Sequence, residues 1–218
     1  MEARIFIDER LIGLPQLRLL LSSLFAIPSL EFDESRTDVY VSLGDVTRGL
    51  KLRGGNKGRG ELKKRVALAD VDERVEHWKK QVLGVGVSSA AELLALAGEP
   101  QRPVRQVQVA KQRGGARVGG ASMELATLVC VWNKDALPET DSQAQASPKC
   151  ATFHSICFEG AKADQLSRLL QSTLEALKTK PLDDKTKAEN DDDNDDDDDV
   201  KKEIFIGGYP AFIESILN

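Results

Sequence analysis

Long apolar runs are missing from this chain of 218 residues. None approaches the ~18 consecutive residues that a membrane-spanning helix needs, so no membrane partner is expected. No charged stretch leads into an apolar core at the start, which argues against a secretory leader and for the cytoplasm. Cysteine is scarce: Cys130, Cys150 and Cys157 are odd in number and lack metal-ligand spacing, pointing to buried thiols in a reducing compartment. The two histidines, His77 and His154, fit no metal or triad pattern. Aromatic residues make up only 5% of the chain and few stand between cations. That scarcity argues against stacking on single-stranded nucleic acid, which is not an expected partner.

Acid, by contrast, is abundant in one place. Residues 189–199, ENDDDNDDDDD, hold nine of the 35 acids and no base, so the rest of the chain sets 30 bases against 26 acids. The formal charge of −5 therefore hides a mildly basic body, which suits an anionic ligand. Like charges in that run repel, and it has too little apolar surface to fold alone. It lacks the spaced acidic loop of a specific calcium site. Residues 179–202 are read as an acidic insertion. Residues 1–178 with 203–218 form a single domain around it, because the closing KEIFIGGYPAFIESIL is apolar and returns to the body.

The body is organised around RGLKLRGGNKGRGELKKR, residues 48–65. Leucines alternate with charges on both sides of a glycine-rich turn, the pattern of a strand pair with one apolar and one charged face. Lys51 and Arg53 share a face on the first strand, as do Glu61, Lys63 and Arg65 on the second. Elsewhere the alternation predicts strands over EARIFID at the start, 37–43, 104–113, 122–132 and 151–160. In the first of these Ala3, Ile5 and Ile7 oppose Glu2, Arg4 and Phe6. Gly114, Gly115, Gly119 and Gly120 are read as one turn.

Helical spacing predicts helices after Pro15, over 88–97 and over 163–178. A further helix is expected at 70–83, with Asp70 as N-cap, Glu73 three residues on, and Val71, Val75, Trp78 and Val82 as its apolar stripe. Two helices in a row would break the sheet in the middle. His77 beside that stripe and His154 opposite Phe153 and Ser155 are read as structural.

About seven strands, antiparallel and joined by helices, make an α+β protein. Closed into a barrel, such a sheet would carry its charges either outside or in the lumen. A lumen holding cations and carboxylates needs a charged guest, because unpartnered buried charge is costly.

The succession of EARIFI, Asp38 to Tyr40, GLKLRGG, GELKKR, VAKQR, SICFEG and GGYPAF resembles the CYTH, or triphosphate tunnel metalloenzyme, superfamily along nearly the whole chain. The resemblance implies an eight-stranded antiparallel β tunnel with helices packed at its connections. Lys51, Arg53, Lys63, Arg65, Lys111 and Arg113, with Arg4, would bind phosphate. Glu2, Glu159 and Glu61 would hold Mg²⁺ or Mn²⁺. The partner would be a triphosphate-containing small molecule or inorganic polyphosphate, and the reaction metal-dependent hydrolysis of a phosphoric anhydride.

The chain departs from that pattern on the metal side. The family's first strand reads Glu-x-Glu-x-Lys, whereas here it is Glu2-x-Arg4-x-Phe6; its late Glu-x-Glu is Cys157-x-Glu159. Each unit charge interaction a few ångströms from the ion is on the order of 4 kcal/mol at an effective dielectric near 20, roughly a thousandfold in affinity. An arginine in place of a ligating glutamate weakens metal binding and favours an anion. A tunnel without catalysis, serving as a polyanion or protein interaction module, is therefore the other reading.

Overall fold

The structure, a computed structural model, describes residues 1–27, 30–54, 58–100, 104–133, 147–179 and 204–218. All but Thr179 of the acidic insertion, and most of the polar segment before 149, lie outside the described residues.

Among the described residues nine strands and four helices follow one another as β1 (Glu2–Asp8), α1 (Leu14–Phe25), β2 (Glu34–Val41), β3 (Arg48–Arg53), β4 (Gly58–Ala69), β5 (Asp72–Val87), α2 (Ala90–Leu96), β6 (Gln106–Val118), β7 (Ala121–Trp132), β8 (Lys149–Glu159), α3 (Ala163–Thr179), β9 (Ile204–Ile206) and α4 (Tyr209–Leu217). Eight strands close a ring in the order β5-β4-β3-β2-β6-β7-β8-β1, and β1 returns to β5. Every pairing is antiparallel. β1 meets β5 only at Glu2 and Ala3, and the short β9 covers the rest of that edge, opposite Ile5 to Ile7.

The alternation of side chains divides the ring. Ala3, Ile5 and Ile7 point outward into a core shared with Leu17 and Leu21 of α1 and Leu166 and Leu170 of α3. Leu50, Leu52 and Leu62 point outward against Leu93 and Leu94 of α2. Ser89 caps α2, accepting a hydrogen bond from the Glu92 amide.

Three expectations are corrected. Residues 70–83 are not a helix: Asp72 onward is β5, hydrogen-bonded along β4 with several register shifts. Only Val75 of the expected stripe is fully buried, while Val71 and Val82 are exposed. The sheet therefore continues unbroken through this region. Second, Gly114 and Gly115 lie within β6, and the turn is made by Gly119 and Gly120 at positive φ. A Cβ at Gly114 would run into the Glu31 carbonyl oxygen, so glycine admits the chain crossing there. Third, Cys130 and Cys157 are buried but Cys150 is exposed; all three are free. Among the described residues no helix is long and apolar enough to cross a membrane.

Candidate anion-binding cavity

One end of the barrel interior is filled. α4 lies against the inward residues of β1, β2, β6 and β7, among them Phe6, Tyr40, Val107, Val109 and Leu128. Phe212 stacks on Phe6 with ring centroids 3.9 Å apart and planes 3° from parallel, and Tyr209 stacks on Tyr40 at 4.9 Å. The entry of α4 is tight: a Cβ at Gly208 would stand 2.6 Å from the Trp78 ring, and one at Gly49 would stand 2.7 Å from Pro210.

Beyond this plug the interior turns polar and holds a cavity of about 390 Å³. Six of the seven cations expected to bind phosphate line it: Arg4, Lys51, Arg53, Lys63, Lys111 and Arg113. Arg65 is not among the lining residues; it pairs with Glu76 at 2.8 Å. Sequence reading missed Arg36, Lys80, Trp78 and Tyr209, which also line the cavity. Arg36 shares its parity with Tyr40 and needed only an earlier start to β2. Trp78 and Lys80 were hidden by reading β5 as a helix.

The two halves of the wall differ in charge balance. On the β2 to β6 side, among the described residues, Arg36, Lys51, Arg53, Arg59, Lys80 and Lys111 pair only with Glu34, Asp38 and Glu61, and Glu34 also serves Arg113. Glu61, whose side chain is 2% exposed, meets four of these cations: Arg59 at 2.5 Å, Lys80 at 3.1 Å, Lys51 at 3.6 Å and Arg53 at 3.8 Å. Burial pushes Glu61 up, but Lys51, Lys80 and Arg59 outweigh it and hold the carboxyl below its usual range. Burial lowers Lys51, and it lowers Lys111 well below an ordinary lysine, with repulsion from Lys51 and Arg4 adding to the effect on Lys111.

On the β1, β7 and β8 side the ion pairs centre on Arg4, which is 6% exposed. Its Nη1 donates to Ser155 Oγ at 2.8 Å and to Glu124 Oε1 at 3.4 Å, and its Nε donates to Glu2 Oε1 at 3.3 Å. The other oxygen of Glu2 accepts from Lys63 Nζ at 2.5 Å. Arg113 pairs with both Glu124 and Glu34. Burial raises Glu2 and Glu124, yet the cations prevail and bring each carboxyl down to about 2: Arg4 and Lys63 at Glu2, Arg4, Lys111 and Arg113 at Glu124.

The ligating atoms of Glu2, Cys157 and Glu159 lie within 4.8 Å of one another. Glu61 is not part of this group and sits instead among its four cations. The group does not fit Mg²⁺ or Mn²⁺, which take oxygen ligands and tolerate no cation in their first shell. Both Glu2 oxygens are committed to Arg4 and Lys63. Burial raises the Cys157 thiol well above its ordinary value, so its sulfur is neutral.

No family model matches the chain, and no curated protein does. Among solved structures it is similar to a conserved hypothetical protein from Pyrococcus furiosus, at 16% identity and TM-score 0.45 over 84% of this chain and 94% of that one. It is also similar to a putative adenylate cyclase from Bacillus halodurans, at 11% identity and TM-score 0.43 over 82% and 90%. A chain of the Schizosaccharomyces pombe Mediator head module gives 9% identity and TM-score 0.35 over 81% and 91%. Scores this low carry no argument.

Proposed function

We propose that this chain is a divergent CYTH-like tunnel that binds a triphosphate- or polyphosphate-type anion. The reading rests on one observation above all: Glu61 is shared by four cations beside an internal cavity, of which Lys51 also meets Asp38. Cations crowded this way repel one another, and burial sharpens the repulsion. A guest with several negative oxygens relieves it, and arginine forks with lysine ammonium groups match phosphate geometry. The volume suits a small ligand.

Binding, and not metal-dependent hydrolysis, is the activity proposed. Hydrolysis of this type draws on divalent ions to bridge phosphate oxygens and neutralise developing charge, and the carboxylates near Arg4 are already engaged. Thermal unfolding with orthophosphate, pyrophosphate and tripolyphosphate tests the reading. The melting temperature should climb with the number of phosphates, by about 2.7 kcal/mol of stabilisation at a hundredfold excess over Kd. No shift with any of the three would reject it. Phosphate release from tripolyphosphate, thiamine triphosphate or ATP in the presence of Mn²⁺ would restore the hydrolase reading.

A further inference from the structure

Arg4 occupies a peculiar station. It bridges acceptors on three strands: Glu2 of its own β1, Glu124 of β7 and Ser155 of β8. Its guanidinium carbon lies 4.7 Å from the centre of the Tyr209 ring, so the plug covers it from below. Among the described residues Nη2 has no acceptor, it is not among the buried polar atoms left without a partner, and Arg4 lines the cavity. A cation gathered by carboxylates on one side and presenting free donors to a cavity on the other stands as a bound metal ion would.

We infer that the Arg4 guanidinium takes the place of a divalent ion between the carboxylates and the ligand, so that the species bound is the metal-free polyanion. This rests on the anion-binding reading and goes beyond it, because it names the ionic form of the ligand. A divalent ion on a polyphosphate cancels two of its negative charges. Those are the charges the excess cations on the β2 to β6 wall need, while the ion itself would meet Arg4 and find Glu2 occupied. The inference concerns charge and geometry alone and needs no chemical step.

Calorimetric titration of the full chain with sodium tripolyphosphate, in EDTA and then in excess Mg²⁺, decides the matter. Affinity should be unimpaired in EDTA and fall about tenfold or more once Mg²⁺ complexes the anion, a difference of about 1.4 kcal/mol. Binding that appears only with Mg²⁺ overturns the inference and leaves the anion reading standing. No heat in either condition removes both. R4K, which keeps the charge and loses the fork, supplies a second arm. With its fold verified by circular dichroism, it should bind tripolyphosphate about tenfold more weakly in EDTA. Unchanged affinity would mean that Arg4 does not touch the ligand and would overturn the inference. If R4K does not fold, the Mg²⁺ comparison on the natural chain decides alone.

Discussion

The Lys111 ammonium stands 3.9 Å over the centre of the Tyr209 ring and 3.1 Å from Tyr40 Oη, where the polar cavity meets the aromatic plug. Its nearest carboxylate, Asp38, is 3.9 Å away and also serves Arg36 and Lys51. Lys111 is thus a buried cation with a shared counter-charge, and the cost of burying it falls on the ligand-free protein.

Replacing it should therefore help stability and harm binding. Lys111→Met fills the same volume and removes the cost of burying the ammonium, and Asp38 is not left unpaired because it keeps Arg36 and Lys51, so the free protein should gain about 1 kcal/mol, the low end of what replacing a whole buried ion pair gives. The pH dependence follows from the direction of the shift. The folded Lys111 pKa lies below the ordinary 10.5, so between the two values the unfolded chain binds more protons and stability rises with pH. Chemical denaturation across the alkaline range should show that rise in the natural chain and its loss in Lys111→Met. Tripolyphosphate should stabilise the variant less than the natural chain.

Glu61 gives the opposite trade. Glu61→Gln keeps the shape but removes the one negative charge that Lys51, Arg53, Arg59 and Lys80 share. The free protein should lose about 3 kcal/mol, toward the lower end for a broken buried pair because Lys80 and Arg59 are partly solvated, their side chains 46% and 40% exposed. The released cations should then take tripolyphosphate more strongly. Melting curves check both at once: a lower starting temperature and a larger ligand-induced rise. A smaller rise than in the natural chain would show that the anion does not lie on this wall.

These contrasts also explain what could be read from the sequence. β3 and β4 announce themselves because leucine faces a helix while lysine, arginine and glutamate face the cavity, so polarity alternates cleanly. β1 does so for the same reason. β5 has no such contrast: inward it carries Glu76, Trp78 and Lys80, and outward much of it meets solvent, leaving only Val75 and, at its far end, Val87 as deeply buried apolar side chains. Chance then spaced Val71, Val75, Trp78 and Val82 like a helix. The plug was legible as apolar chain returning to the body, but nothing local in GGYPAFIESIL says that it enters the barrel end. Six of the cavity's cations could be named from parity, Arg36 and Lys80 not, whereas the carboxylates that each one meets depend on register across the closed ring.

Gly114 offers a test of the crossing that sequence reading took for a turn. The amide of Asp33 donates to the Arg113 carbonyl at 3.2 Å, which pins the segment before β2 across β6. Gly114→Ala would drive a methyl group into the Glu31 carbonyl. Its φ is not in the left-handed region, so the cost is steric and not conformational. The melting temperature should fall by the equivalent of about 3 kcal/mol, the upper end for overpacking. Gly115→Ala, whose Cβ would lie 3.2 Å from the Met123 carbonyl oxygen, should cost less. Equal effects at both positions would mean that the crossing yields freely.

Acid unfolding probes Arg4 without any ligand. Glu2 and Glu124 are held near 2 against an ordinary value of 4.5, and Arg4 is the first-ranking cation at both. A depressed carboxylate contributes stability that is complete above the ordinary value and is lost as pH falls toward the folded one. Both side chains are less than a third exposed, so each contributes up to roughly 3 kcal/mol, at 1.36 kcal/mol per unit. Arg4→Met leaves Glu2 with Lys63 and Glu124 with Lys111 and Arg113, which raises both carboxyls and opposes folding at higher pH. Tryptophan fluorescence followed from pH 7 downward should place the variant's transition at a less acid pH than the natural chain's. R4K, which restores the charge, should fall between them. If all three chains unfold at the same pH, Arg4 is not what holds these carboxylates ionised, and their low values must come from the lysines and Arg113.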